Sequence, residues 1–167
     1  PRRDYRILAQ LHGGIEAEDD AHARELRAVL KRPWPAPSVR IARQGHRTEA
    51  RRSAELVRNS SSNRDVEYGA AVAFALAGDS ANARRLADDL ATRFPEDTQV
   101  KFSYVPVLRA VLALNRHDPS GAIDALQPAG AYELGWLCCS AGFTGSLYPI
   151  YVRGLAYLAA NKGAEAA

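Results

Sequence analysis

A sequence motif of about twelve residues, here called the repeated phrase, occurs twice in this chain. It limits the possible folds more than any other feature. The first copy covers residues 104–115 and the second covers residues 148–159. Tyr104 aligns with Tyr148 at the start of the copies, and Arg109 aligns with Arg153. Recurrence of a phrase along a chain is typical of repeat architectures. We therefore predict a repeat protein.

The phrase has the spacing of a helix that is buried on one face. Its apolar side chains recur every three or four residues, at Val107, Leu108, Val111, Leu112 and Leu114. Pro106 and Pro149 are expected in the first turn, where a missing N–H costs little. A polar break follows each copy, and Asp118 is expected to cap a second, Ala-rich helix. Each unit is therefore predicted to be a helix, a short turn and a second helix.

Small residues set the register of the units. A small residue in each first helix precedes one in the second helix by twelve positions, in the pairs Ala71 and Ala83, Ala110 and Ala122, and Gly154 and Ala166. We predict that these residues let the paired helices approach closely. Gly78 is expected in a left-handed conformation, with Asp79 or Ser80 capping the next helix. The predicted helices cover residues 48–58, 66–77, 81–94, 99–114, 120–127 and 147–160.

This pattern resembles the tetratricopeptide repeat, a helix–turn–helix unit of about 34 residues. The resemblance covers residues 40–167 and is most complete between residues 65 and 95, at Ala71, Phe74, Ala83, Ala87 and Pro95. The later units are longer than the family's unit and are expected to carry extra loop residues. The resemblance implies an all-α, right-handed solenoid of three to four helix pairs.

A narrower resemblance is to the C-terminal repeat region of bacterial eukaryotic-like serine/threonine protein kinases. It lies in residues 93–98, in the phrase around Arg109, in residues 127–129 and 132–135, and in residues 145–148 and 151–154. The chain contains no Gly-rich loop, His-Arg-Asp or Asp-Phe-Gly of a kinase domain. The resemblance implies a sensory or scaffolding region of such a protein, with the catalytic domain outside this chain.

Two regions are expected. Residues 1–37 contain a candidate helix at 19–30 and a Pro-rich stretch at 33–37, which is interpreted as a linker, with a ligand for a peptide-binding module or a shifted reading frame as alternatives. Residues 38–167 contain the repeat array, which is interpreted as truncated at its C-terminus. A loop is expected at residues 128–146, and no run is apolar and long enough for a membrane helix. Localisation is cytoplasmic by default, or extracytoplasmic if a membrane span precedes the chain.

The sequence contains no catalytic constellation. The four histidines are scattered, so no zinc-binding pattern forms, and no cofactor is expected. Cys138 and Cys139 are adjacent and lack the spacing of a metal or redox motif. The basic excess lies in residues 1–58 and is interleaved with acidic residues, so it is interpreted as a solvated face and not as a nucleic-acid site. We therefore predict that the chain is not an enzyme.

The remaining candidate is a protein or peptide partner in a concave groove lined by the first helices, as the tetratricopeptide resemblance implies. The candidate groove residues are Tyr68, Val72, Tyr104, Arg109, Val111, Asn115, Tyr148, Tyr151, Arg153 and Leu155. Tyr and Arg are frequent interface anchors. As the alternative, the tyrosines pack between units and each arginine pairs with a nearby acid. Only Asn115 fits the family's clamp for a C-terminal carboxylate, so that ligand is not predicted.

The predicted function is that of a non-catalytic protein–protein interaction scaffold, the repeat region of a larger bacterial signalling protein. A regulatory or sensory domain of a serine/threonine kinase is the first alternative. A transcriptional regulator with such repeats is a further one, and it would need a DNA-binding helix pair upstream.

Overall fold

The computed structural model describes residues 39, 42–60, 62–133 and 147–166, which all lie in the unit Pro33–Ala167. In these ranges the regular structure is helical and contains no strand. The all-α prediction is confirmed for this part of the chain. The predictions for residues 1–37, and for Cys138 and Cys139, fall outside the described residues.

The elements follow the predicted order. They are α1 (Arg47–Ser60), α2 (Arg64–Leu76), α3 (Ser80–Arg93), a π-helical turn (Val100–Tyr104), α4 (Val105–Asn115), α5 (Pro119–Ala125), a 3₁₀ turn (Gln127–Ala129), α6 (Tyr148–Ala159) and α7 (Gly163–Ala166). Each predicted helix is present, and most ends shift by one or two residues, as frayed helix termini usually do. The expected loop at 128–146 is described only to Glu133, where it runs as turns.

Successive helices form antiparallel pairs. Helix α2 packs against α3, α4 against α5, and α6 against the short α7. The first helices also pack against one another, because α4 contacts both α2 and α6. One buried hydrophobic cluster extends from Val39 through α2 and α4 to Ala156 of α6. The core is therefore continuous through the described helix pairs.

The three turns between paired helices share one conformation. Gly78, His117 and Asn161 all have positive φ, at 79°, 59° and 59°. In each turn the following residue donates a backbone hydrogen bond five residues back, from Asp79 to Phe74, from Asp118 to Ala113 and from Lys162 to Tyr157, at 2.8–3.0 Å. This is the Schellman pattern, which ends a helix with a left-handed residue. The prediction of a left-handed conformation at Gly78 is confirmed. The three helix pairs therefore share the backbone conformation of their turns as well as a sequence pattern.

Polar side chains cap the second helices as the sequence indicated. Oδ1 of Asp79 accepts from the backbone N–H of Asn82 at 3.2 Å, and Oδ1 of Asp118 accepts from that of Gly121 at 2.8 Å. Asp79, and not Ser80, is therefore the cap of α3. The small residues also lie as predicted: Ala71, Ala83, Ala110 and Ala122 are fully buried. A Cβ on Gly154 would lie 3.6 Å from the carbonyl oxygen of Ala166, across the α6–α7 pair.

Pro106 lies in the first turn of α4, but α4 does not start from a loop. The chain is already helical from residue 98 and passes through the π-helical turn before reaching Pro106. Proline has no N–H to donate, and its ring stands against the carbonyl four residues earlier. A local widening to the π geometry accommodates that ring, since the N–H of Val105 instead reaches the carbonyl of Val100. The sequence did not indicate this widening.

Candidate functional site

Half of the predicted groove residues lie in the core and not on a surface. Their exposed fractions are 7% or less, for Tyr68, Val72, Tyr104, Val111 and Tyr148. Tyr68, Tyr104 and Tyr148 therefore pack in the core, which was the alternative to partner binding. Burial of large aromatic side chains between helix pairs stabilises the fold, because each removes a large apolar area from water.

Tyr68 and Tyr104 stack face to face across the boundary between two helix pairs. Their ring centroids are 3.7 Å apart and the planes differ by 4°. The hydroxyl of Tyr104 donates to Oδ1 of Asp65 at 2.8 Å. Burial, together with this carboxylate, raises the pKa of Tyr104 far above its ordinary value. Burial also raises the pKa of Tyr68 strongly and that of Tyr148 to about 12, so all three phenols are neutral at physiological pH.

Asn115 caps a neighbouring helix. Its Nδ2 donates to the carbonyl oxygen of Ala75 at 2.7 Å, at the C-terminal end of α2. From the other side, Nη2 of Arg51 on α1 donates to the carbonyl of Ala77 at 3.1 Å. The N–H of Gly78 also donates to the carbonyl of Ala75, at 3.0 Å, so backbone and side-chain donors together satisfy the carbonyls at this helix end.

The two repeated arginines have different surroundings. Arg153 on α6 forms an ion pair with Glu133, whose side chain is 8% exposed, and thus matches the alternative of pairing with a nearby acid. Arg109 on α4 is exposed and lines a groove with residues of α3 and α5, among them Arg84 and Asp88. In the described residues Arg109 makes no ion pair. Arg109 and Arg153 therefore occupy the same position in the aligned sequences but have different charged neighbours.

Two of the predicted residues remain on an exposed apolar surface. Tyr151 and Leu155 are 41% and 38% exposed on α6. They belong to a run of exposed apolar side chains with helical spacing, which we call the α6 stripe: Leu147, Ile150, Tyr151, Leu155 and Leu158. The described residues expose only two other large apolar side chains, Leu56 and Tyr132. Exposed apolar surface is therefore concentrated at α6, which is unusual away from interaction sites.

The α6 stripe corresponds to a covered surface one repeat earlier. Alignment of the two phrases places Tyr151 on Val107 and Leu155 on Val111, which are 0% and 5% exposed in α4. Helix α4 has first helices on two sides, α2 and α6, whereas α6 packs against α4, α5 and α7. In the part of the chain that the structure describes, the positions that are buried in α4 are therefore partly exposed in α6.

One polar contact holds the edge of the α6 stripe. Nη2 of Arg43 donates to the hydroxyl of Tyr151 at 2.9 Å, and its guanidinium lies 4.8 Å from the centre of that ring. A cation over an aromatic face contributes about 0.5–1 kcal/mol at an exposed site. The contact joins Tyr151 of the α6 stripe to the residues that precede α1.

Comparison with known proteins adds no family, since no family model, no curated protein and no solved structure matches the chain. In the described ranges no helix is both long and apolar enough to cross a membrane. Within the same residues, His, Cys, Asp and Glu side chains form no group of three that could hold a metal.

Proposed function

We propose that the chain is a tetratricopeptide-like array of helix pairs that acts as a protein–protein interaction module. The repeated Schellman turns, the small residues at the helix contacts and the packing of first helix on first helix support this reading. A repeat array presents an extended surface to its partners, and this role requires no catalytic group.

The single observation that carries the proposal is the α6 stripe. The corresponding positions of α4, Val107 and Val111, are buried, and this supports a role for the exposed stripe in binding an apolar helix face. We propose an amphipathic helix of a partner protein as its ligand, with Leu155 and Leu158 as apolar contacts and Tyr151 as an aromatic anchor. Amphipathic helices commonly bind in this way, through anchors three or four residues apart.

The setting of this module is part of the same proposal: the repeat region of a larger bacterial signalling protein, as the kinase-repeat resemblance implies. The alternative, a regulatory domain of a serine/threonine kinase, depends on the sequence resemblance alone and stays a prediction.

A capture experiment with matched variants tests the proposal. The double variant Leu155→Asp/Leu158→Asp places charges on the stripe, and Leu56→Asp places one on α1, at a leucine that is 64% exposed. In a lysate of the organism that encodes the chain, we expect the unmodified protein and Leu56→Asp to retain the same protein, and the double variant to lose it. Equal retention by all three, with unchanged circular dichroism, would remove the stripe from the account.

A further inference from the structure

A second surface, separate from the α6 stripe, carries cations that have no partner among the described residues. Arg84 on α3, Arg109 on α4 and Arg116 after α4 line a cavity of about 310 Å³ between α3, α4 and α5. All three side chains are exposed. Unlike Arg64, Arg93 and Arg153, none of them has a hydrogen bond or an ion pair with any described residue. The groove therefore presents three exposed guanidinium groups.

Two carboxylates lie in the same groove and limit its positive charge. Asp118 is already engaged, because its Oδ1 accepts from the backbone N–H of Gly121 at 2.8 Å. Asp88 is one helical turn beyond Arg84 on α3 and forms no ion pair within the described residues. The formal balance is three cations against two anions, so the groove is mildly basic. Its floor is apolar and small, with Ala87, Leu112 and Ala113.

The basic groove continues past Arg109. A second cavity of about 220 Å³ shares Arg109 and is lined by Phe94, Pro95 and Lys101. The nearest acid to Lys101 is Glu96, at 3.9 Å, and the side chain of Glu96 is 90% exposed. Such a surface pair is weak. Arg109 thus stands between two adjoining cavities, each with an apolar wall and a further cation.

The repeat itself indicates what ligand chemistry suits Arg109. At the equivalent position of the next unit, Arg153 binds the carboxylate of Glu133, which is almost fully buried. The guanidinium at this position is thus already seen holding a carboxylate where the chain supplies one. Arg109 has no such carboxylate partner among the described residues and lines two cavities. Guanidinium–carboxylate pairs are charge-assisted and geometrically specific, so a ligand carboxylate suits Arg109.

We propose that the groove between α3 and α4 binds an acidic, partly apolar segment of another protein, with Arg109 and Arg84 on its carboxylates and small apolar side chains on the floor. Helix α4 has 11 residues and is about 16 Å long, which matches about five residues of extended peptide. A continuous phosphate backbone fits less well, because it offers no apolar side chain to the floor formed by Ala87, Leu112 and Ala113. This site goes beyond the docking function of α6 and does not depend on it.

Fluorescence anisotropy with one defined probe tests the site. The probe is a fluorescein-labelled peptide of about eight residues that alternates Glu with Leu, and its matched control replaces each Glu by Gln. The protein variants are Arg84→Gln/Arg109→Gln, Asp88→Asn and, as a single-arginine control on α1, Arg52→Gln. All substituted positions are exposed, so we expect native circular dichroism throughout.

We expect the Glu–Leu peptide to bind about tenfold more weakly to Arg84→Gln/Arg109→Gln, more tightly to Asp88→Asn and unchanged to Arg52→Gln. The Gln–Leu peptide should bind poorly, and Leu155→Asp/Leu158→Asp should leave binding intact. This last result separates the two surfaces. Equal losses in Arg52→Gln and the double arginine variant would overturn the site, as would equal binding of the two peptides. Tighter arginine-dependent binding of an oligothymidylate than of the Glu–Leu peptide would overturn the proposed ligand class.

Discussion

Tyr104 donates a 2.8 Å hydrogen bond from its hydroxyl to Oδ1 of Asp65, a residue of the preceding helix pair. In the aligned repeat Asp65 occupies the position of a tyrosine, so the contact joins equivalent places in successive units. The stacked ring of Tyr68 completes the contact. The boundary between these two units is therefore held by both apolar burial and a charge-assisted hydrogen bond.

Substitutions at Tyr104 should separate these two contributions. We expect Tyr104→Ala to lower the free energy of unfolding by about 3–5 kcal/mol, because it removes a buried ring and leaves a cavity. Tyr104→Phe keeps the ring stacked on Tyr68 but removes the hydrogen bond, so we expect it to lower the free energy of unfolding by about 1–2 kcal/mol. Urea unfolding followed by circular dichroism measures both. A stable Tyr104→Ala protein would return this residue to the list of surface anchors.

Ala83 and Ala81 test the register of the best-matched unit. Ala83 is fully buried where α3 packs on α2, whereas Ala81 on the same helix is exposed. We expect Ala83→Arg to lower the free energy of unfolding by at least about 3 kcal/mol, because a long charged side chain has no room there. Ala81→Arg should change it by less than about 0.5 kcal/mol. Equal melting temperatures for the two variants would show that the register is wrong.

The left-handed turns predict that substitutions at two equivalent positions change the free energy of unfolding in opposite directions. Gly78 has φ of 79°, so Gly78→Ala should cost about 1 kcal/mol. His117 occupies the same turn position with φ of 59°, where a side chain is disfavoured. His117→Gly should therefore stabilise the protein by up to about 1 kcal/mol. Thermal unfolding of the two variants checks the pair, and a stabilising Gly78→Ala would contradict the shared geometry.

The pair of Glu67 and Arg93 predicts a pH dependence. Burial raises the pKa of Glu67 above 4.5, while Arg93 and its hydrogen bond oppose that rise. Between 4.5 and the raised value the folded state binds more protons than the unfolded state, so this carboxyl makes the protein less stable as the pH rises through that window. Arg93→Gln should widen the window and steepen the loss, and Glu67→Gln should abolish it. Melting temperatures from pH 4.5 upward measure the effect, and parallel curves for all three proteins would refute this assignment.

The helices and turns of the fold were predictable from residues that strongly favour one local structure. Gly78, Asp79 and Asp118 indicate turns and caps, and the twelve-residue spacing of Ala71 and Ala83 indicates the helix contact; the structure has all of these. The π-helical turn before Pro106 was missed, because it depends on how the helix continues from the preceding residues.

The candidate site was less predictable, because the sequence pattern gives the face of a helix but not what covers that face. Val111 and Leu155 occupy the same place in the repeated phrase, yet one is buried and the other exposed. The same limit applies to Arg109 and Arg153, since Glu133 comes from a connection whose path the sequence leaves open. Leu147 and Ile150 were not among the predicted site residues. These residues could be found by aligning the two copies and asking which positions are buried in one and exposed in the other. That comparison requires knowledge of which helices pack against each copy.

Site-specific photocrosslinking is the most direct test of the docking function that we propose for α6. A benzophenone amino acid at Leu155 would lie in the α6 stripe, and the same group at Leu56 would be exposed on α1 as the control. We predict a covalent adduct at position 155 with the protein that Leu155→Asp/Leu158→Asp fails to capture, and no such adduct at position 56. Equal labelling at the two positions, or no adduct at 155 while the protein is still captured, would contradict the assignment of the α6 stripe as the docking surface.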